Sequence, residues 1–297
     1  MMPPQVALII VNWNGKGDTL ECLASLQEDS YPSKQIIVVD NGSTDDSVAA
    51  IQTAFPAVIL LETGANLGFT GGNNVGIRYA LEHDADFIFL LNNDTTVEPD
   101  ALSILAATLD KHSEYSMVTP VIHYFDNPGQ AWFAGSKLDL SLGIAAHDKS
   151  RIPARDEAPI LIPWASGCAM LVRVDMMRKL EGFDDRYFLN WEDVDLCLRL
   201  VEKGGHIALV PSARVYHKVG RSFAVSGNNR YYYVRNNLLL AAEHCGAAYG
   251  QACRYIITQR FREIMREIKY RRTIFNIGLI DTLKAIYDHR CGHYGRH

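Results

Sequence analysis

The chain has 297 residues, a formal net charge of −5, and 48% apolar against 21% charged residues. That is an ordinary soluble globular composition, long enough for a large core in one or two domains. The acidic balance gives no case for nucleic-acid binding, and no apolar run approaches the ~20 residues needed to span a bilayer. Met1-Met2-Pro3-Pro4 lacks the basic start of a secretory leader. Six cysteines are scattered without a C-x-x-C pair, which argues against zinc and against a disulfide framework. The expected compartment is reducing and cytosolic.

Val6 to Val11 reads as a first buried strand ending in Asn12-Trp13-Asn14-Gly15, with a helix from about Asp18 to Glu28 behind it. Ile36 to Val39 is a second strand, ending in Asp40-Asn41-Gly42-Ser43. Thr44 or Asp45 can cap the helix that Pro56 closes. Val58 to Leu61 is a third strand, followed by a polar stretch from Asn66 through Gly72, Asn73 and Asn74. A helix to about His83 follows. Phe87 to Leu91 is the fourth strand, and it stops abruptly in Asn92-Asn93-Asp94.

Strands alternating with helices predict βαβ units in a mostly parallel α/β sheet. Each strand ends in turn-forming residues, which have a structural use as turns and caps. Their recurrence on one rim predicts a polar pocket, because open α/β sheets bind ligands at the carboxyl ends of their strands. No G-x-G-x-x-G follows the first strand, so the pocket is not an ordinary dinucleotide site. Asp94 offers a hard oxygen for Mg²⁺ or Mn²⁺, alongside the plainer reading of an Asx turn into the helix after Pro99.

From about Val121 to Trp164 the alternation lapses into expected loops and short antiparallel strands, with His123, Trp132 and Phe133 partly exposed. Ile160 to Trp164 then leads to another strand over Ala165 to Val172. The aromatic stretch from Gly182 to Trp191 opens a helix at Glu192-Asp193-Val194-Asp195, which ends at Gly204-Gly205. Acids in a first turn suit the helix dipole, and Asp195 and Arg199 have the spacing of a surface pair. Asp193 shares a helical face with Leu196, Cys197 and Leu200, so it should look into a pocket. Ile207 to Val210 is a late strand, and His217 beyond it is a structural histidine or a second metal ligand.

These motifs resemble glycosyltransferase family 2 with the GT-A fold, most like its rhamnosyltransferase-type members. The resemblance runs through Val11 to Gly15, Val39 to Asp45, Asn66 to Gly68, Gly72 to Ile77, Leu91 to Asp94, Gly182 to Asp184, and Trp191 to Arg199. It covers about residues 5 to 240. It implies a Rossmann-like GT-A domain over 1–245, with a donor half to about 120 and an acceptor half from about 121. A basic helical extension occupies 246–297.

The implied donor is a dTDP- or UDP-sugar, met by Asn12, Asn14, Asp40, Asn41, Gly42, Asn66, Gly72, Asn73, Asn92 and Asn93, with Asp40 on the nucleobase. Asp94 and His217 would hold Mg²⁺ or Mn²⁺. Trp191 and Glu192 would meet the acceptor, a glycan or lipid-linked saccharide, and Asp193 would be the base of an inverting displacement. The chain departs from the family's D-x-D motif at Asn92, which leaves one carboxylate there.

The basic tail, with Arg254, Arg260, Arg262, Arg266, Lys269, Arg271 and Arg272 among apolar residues, reads first as helix packed within the protein, and a basic amphipathic helix can also lie at the inner face of a membrane. The packing partner would be the domain itself or a second copy in a homodimer. Two other functional readings compete: a catalytically silent nucleotide-sugar-binding partner of another transferase, and a nucleotidyltransferase. The latter would want a basic, Gly-rich triphosphate loop, of which Asn12 to Lys16 is a poor version.

Overall fold

A computed structural model describes residues 2–220, 229–271 and 277–296. Its first half alternates β1 (Val6–Asn12), α1 (Lys16–Glu28), β2 (Lys34–Asp40), α2 (Ser47–Ala54), β3 (Ile59–Glu62), α3 (Gly68–Glu82) and β4 (Phe87–Asn92). β5 (Thr95–Val97), α4 (Ala101–Lys111), β6 (Tyr115–Tyr124), β7 (Asn127–Phe133), β8 (Ser136–Asp139), β9 (Ile144–His147) and β10 (Ile160–Leu161) follow. Then come β11 (Ala169–Arg173), α5 (Val174–Leu180), α6 (Glu192–Glu202) and β12 (His206–His217). The chain ends in α7 (Asn229–His244), α8 (Tyr249–Arg271) and α9 (Ile277–Cys291).

The main sheet runs in the order β10-β12-β6-β11-β4-β1-β2-β3, with β5 and β7 at its side. β3, β2, β1 and β4 are mutually parallel, and β11 lies antiparallel between β4 and β6. Val6 to Ile10 and Phe87 to Leu91 are almost wholly buried. Helices cover both faces there, so these strands carry unbroken apolar runs instead of alternation. The register pairs Asn12 with Asp40 and Val11 with Asn92, which brings the polar strand ends to one rim.

Two stretches differ from the sequence reading. The polar segment from Asn66 to Asn74 is not all loop, since α3 already begins at Gly68. The helix packs tightly on β1: a Cβ on Gly72 would lie 2.8 Å from a Val11 methyl, and one on Gly76 2.5 Å from an Ile9 methyl. The stretch after Val121 does hold the expected loops and short antiparallel strands (β7 on β6, β8 on β9, β10 on β12), but β6 already starts at Tyr115 and is held between β12 and β11. His123 and Phe133 are therefore buried, and only Trp132 of the three is half-buried.

At the C-terminal end, Tyr231, Val234, Leu238 and Ala241 of α7 bury against Ala252 and Ile256 of α8 and Ala285 of α9. α8 and α9 run antiparallel, tied by Arg260 to Thr282 (3.3 Å) and Tyr249 to His289 (2.9 Å). Arg272, part of the expected basic helix, lies outside the described residues. Among the described residues, no helix is long and apolar enough to cross a membrane.

Candidate active site

The strand ends of the first half are joined to one another by their own side chains. Asn12 is fully buried; its amide donates to Asp40 Oδ1 (2.9 Å) and Ser43 Oγ (3.1 Å), and its oxygen accepts from Thr19 Oγ1 (2.8 Å). Asp40 Oδ2 accepts the Ser43 N–H at 3.0 Å. Asn14, at φ 51°, accepts the N–H groups of Thr44 and Asp45. Asn41 donates to Gly68 O (2.9 Å) and accepts from Leu67 N (2.9 Å), tying β2 to the start of α3.

Gly42 sits at φ +74°, where a Cβ would press within 2.6 Å of the Ala65 backbone. Asn66 accepts the Gly68 N–H (2.8 Å), Asn73 donates to Phe69 O (2.9 Å), and Asn93 donates to Thr19 Oγ1 (3.0 Å). Gly72 and Asn73 are buried inside α3, whereas Asn92 is half-buried at the tip of β4. The rim thus brings the donor-side candidates together, with Gly72 and Asn73 one layer behind the surface.

Asp94 and His217 meet. β5, which starts at Thr95, pairs with the end of β12, so His217 stands opposite Thr95. His217 Nε2 lies 3.2 Å from Asp94 Oδ1, with both side chains buried. His217 Nδ1 is buried without a hydrogen-bond partner among the described residues. A hard carboxylate oxygen beside an imidazole nitrogen suits Mn²⁺ or Mg²⁺. Among the described residues, no cluster of three or more such ligands surrounds them. Substrate phosphates and water would have to complete the coordination.

The first turn of α6 forms the other side. Asp193 is half-buried, and its two oxygens accept the N–H groups of Gly167 (2.9 Å) and Val194 (2.8 Å). Burial raises its pKa and outweighs those bonds at the helix end. Glu192 is buried with Oε2 unpartnered among the described residues; burial and then Asp193's charge push its carboxyl well above the usual range. Trp191 is buried too, at φ 73°, with its indole N–H on Tyr233 O (3.0 Å).

Asp195 and Arg199 do not form a surface pair. Asp195 is 1% exposed and accepts from Arg199 Nε (2.8 Å), His244 Nε2 (2.9 Å) and Tyr187 OH (3.3 Å). Burial disfavours its charge, but His244 and Arg199 outweigh that and lower its pKa.

Several residues of the site escape the sequence reading. His147, on β9, donates through Nδ1 to Trp132 O (2.8 Å), and the Trp132 ring stands edge-on between His147 (4.7 Å) and His217 (4.6 Å). This stack spans the gap between Asp94's partner and the surroundings of Asp193. The loop entering α6 holds Phe188, Asn190 and Trp191 at positive φ. Asn236 on α7 fixes it by donating to Tyr187 O (2.6 Å), Leu189 O (2.7 Å) and Asn190 O (3.0 Å). The available signal was Arg235-Asn236-Asn237 interrupting the apolar run from Tyr231 to Leu240.

A sequence profile described as "Glycosyltransferase like family 2" matches residues 3–234. The chain belongs to glycosyltransferase family 2. Its relatives include the N-acetylglucosaminyl-diphospho-decaprenol L-rhamnosyltransferase of Mycobacterium tuberculosis, 30% identical over 67% of this chain and 71% of that protein. The rhamnosyltransferase WbbL of Escherichia coli is 28% identical over 71% of this chain and 83% of its own length. In structure the chain is similar to the mannosyltransferase PcManGT of Pyrobaculum calidifontis, solved with GDP-Man and Mn²⁺. That match has a TM-score of 0.59 at 16% identity, over 99% of this chain and 88% of that one. The fold is of the GT-A type, and this family 2 enzyme is a glycosyltransferase that takes its sugar from a nucleotide-sugar donor.

Proposed function

We propose that this glycosyltransferase moves L-rhamnose from dTDP-L-rhamnose to a hydroxyl of a lipid-linked glycan, with inversion at the anomeric carbon. UDP-sugars are the second donor class to test. The observation that carries the reading is Asp193: a carboxylate held by the Gly167 N–H at the mouth of α6, with its proton affinity raised by burial. The rhamnosyltransferase names of its relatives support the choice of sugar.

On this reading residues to about 245 are the catalytic unit, acting from the cytoplasm on an acceptor at the membrane's inner face. Asp193 accepts the acceptor's hydroxyl proton as that oxygen attacks the anomeric carbon from the side opposite the diphosphate. The alcohol is far less acidic than the carboxyl group, so proton transfer is late and coupled to bond formation. Asp40 orients the nucleobase by accepting its imide N–H, and the asparagine-tied loops around it keep that edge fixed. Trp191 and Glu192 bound the acceptor side. Asp94 and His217 would hold Mg²⁺ or Mn²⁺, which when bound neutralises charge building on the leaving diphosphate.

The test incubates the purified enzyme with dTDP-L-rhamnose and a set of UDP-sugars, with and without Mn²⁺. Nucleoside diphosphate release is followed, and the product's anomeric configuration is read by NMR. Transfer from dTDP-L-rhamnose with inversion is expected, as is weaker competition by GDP than by dTDP. Retention of configuration, or preference for another sugar, would overturn the corresponding part.

A further inference from the structure

His147 has no role in the proposed displacement, yet its ring is closely held. β9 pairs antiparallel with β8, which sets His147 opposite Ser136. Ser136 Oγ donates to Trp164 O (2.6 Å), so the hairpin is tied to the loop before β11. The His147 ring stands nearly perpendicular to Trp132 (4.7 Å, 87°) and Phe133 (5.2 Å, 88°) and tilted against Trp164 (5.6 Å). Three aromatic contacts and the bond from Nδ1 to Trp132 O fix its orientation.

The bond to Trp132 also settles which nitrogen carries the proton. A carbonyl can only accept, so the proton is on Nδ1, at 2.8 Å from Trp132 O. Burial lowers the ring's pKa against the pull of that bond and of Asp193's charge, so the imidazole is neutral near neutral pH. Nε2 therefore presents a lone pair. It accepts no hydrogen bond among the described residues, and it is not one of the buried atoms left without a partner, so it is open to a ligand. A fixed nitrogen that can accept but not donate is the complement of a hydroxyl group.

The ring also lies between the two ends of the reaction. On one side the Trp132 ring separates it from His217, which stands at Asp94. On the other, its neighbour Trp164 is three residues from Gly167, whose N–H holds Asp193. In a single displacement the transferred sugar sits between the attacking oxygen and the leaving diphosphate, so a side chain on that span meets the sugar ring. We propose that His147 Nε2 accepts a hydrogen bond from a free hydroxyl of the transferred sugar and so takes part in selecting the donor. This rests on the places given to Asp193 and to the Asp94–His217 pair in the proposed displacement. A site built to pair a hydroxyl rejects an analogue that lacks it, because the buried partner is then left unpaired. The sugars favoured are those with an unsubstituted hydroxyl at that position, over deoxy or acylated ones.

The experiment measures affinities of the full chain by calorimetry, with Mn²⁺ present, for matched pairs of ligands. The pairs are dTDP-L-rhamnose and dTDP, UDP-N-acetylglucosamine and UDP, and GDP-mannose and GDP. Within the pair that the native chain binds most tightly, the ratio of the two affinities isolates what the sugar adds. His147→Asn places an amide N–H near Nδ1 and leaves nothing at Nε2. It should lower that ratio about three- to tenfold, the worth of one neutral hydrogen bond, while the diphosphate alone binds as before. His147→Gln, whose amide oxygen reaches the place of Nε2, should restore most of the ratio. An unchanged ratio in His147→Asn, including an equal loss of both ligands, would overturn the proposal. So would a His147→Gln ratio no better than that of His147→Asn. Because the ratio is taken within the pair that binds best, a different preferred sugar would overturn the proposed donor without altering this test.

Discussion

On the donor rim, Asn12 and Asn41 spend their amide groups on neighbouring loops and Asn66 on its own, whereas the first turn of α6 keeps Glu192 buried with one oxygen unpartnered among the described residues. The first arrangement satisfies its polar groups and fixes loop positions before any ligand arrives. The second leaves one Glu192 oxygen uncompensated and gives Asp193 two backbone N–H groups that burial outweighs, so the proton affinity of both is raised. Perturbed groups of this kind gather where protons are moved. The comparison therefore separates residues that shape a pocket from residues equipped for acid–base work.

The largest effect should come from removing the proton acceptor. Asp193→Asn keeps the shape and can still accept from the Gly167 N–H, but it cannot take a proton. General-base catalysis is typically worth ~10²–10⁴-fold, so kcat should fall by about that factor while donor affinity by calorimetry barely moves. A variant with near-native kcat would place the base elsewhere and dissolve the contrast between the two regions.

Next is the support beneath α6. Asp195→Ala would strand Arg199 and His244 without their shared carboxylate, and breaking such a buried pair costs about 3–5 kcal/mol. Urea denaturation checks this; a loss below about 1 kcal/mol would mean that the pair is solvated after all. Asn236→Ala should cost less, about 2–3 kcal/mol, because three loop carbonyls lose partners worth about 0.5–1.5 kcal/mol each. Its signature is a fall in kcat at unchanged donor affinity. An equal change from Asn12→Ala would show that the two regions are not energetically separate.

The buried strands, the parallel donor half and α6 were legible because both-face burial writes long apolar runs, and because Gly204 ends α6 at φ +82°. The start of α3 was not, since Gly71-Gly72-Asn73-Asn74 has the composition of a turn. Only contact with Val11 and Ile9 explains why a helix needs glycine at positions 72 and 76. His147 was invisible for a different reason: its surroundings are Trp132 and Phe133 of β7 and Trp164 in the loop before β11, none adjacent to it in sequence. Asp195 looked like a surface acid because i,i+4 spacing says nothing of His244, which α7 brings from 49 residues away.

The smallest effect sharpens the comparison at its chemical centre. Burial, and then the neighbouring charge of Asp193, raise the Glu192 carboxyl well above 4.5, against its own backbone N–H. A group whose folded pKa lies above its unfolded value stabilises the fold fully below the unfolded pKa. That contribution is lost as pH rises through the folded pKa. Glu192→Gln cannot ionise, so stability measured by urea denaturation should fall less steeply above pH 4.5 than in the native chain. Asp193 and His244, whose pKa values are also raised, keep their share of the slope. Glutamine keeps the size of the side chain and leaves Asp193 in place, so the acid limb of kcat should survive if Asp193 is the base. An unchanged pH slope in the variant would mean that Glu192 is solvated, and that the first turn of α6 is no more strained in charge than the donor rim.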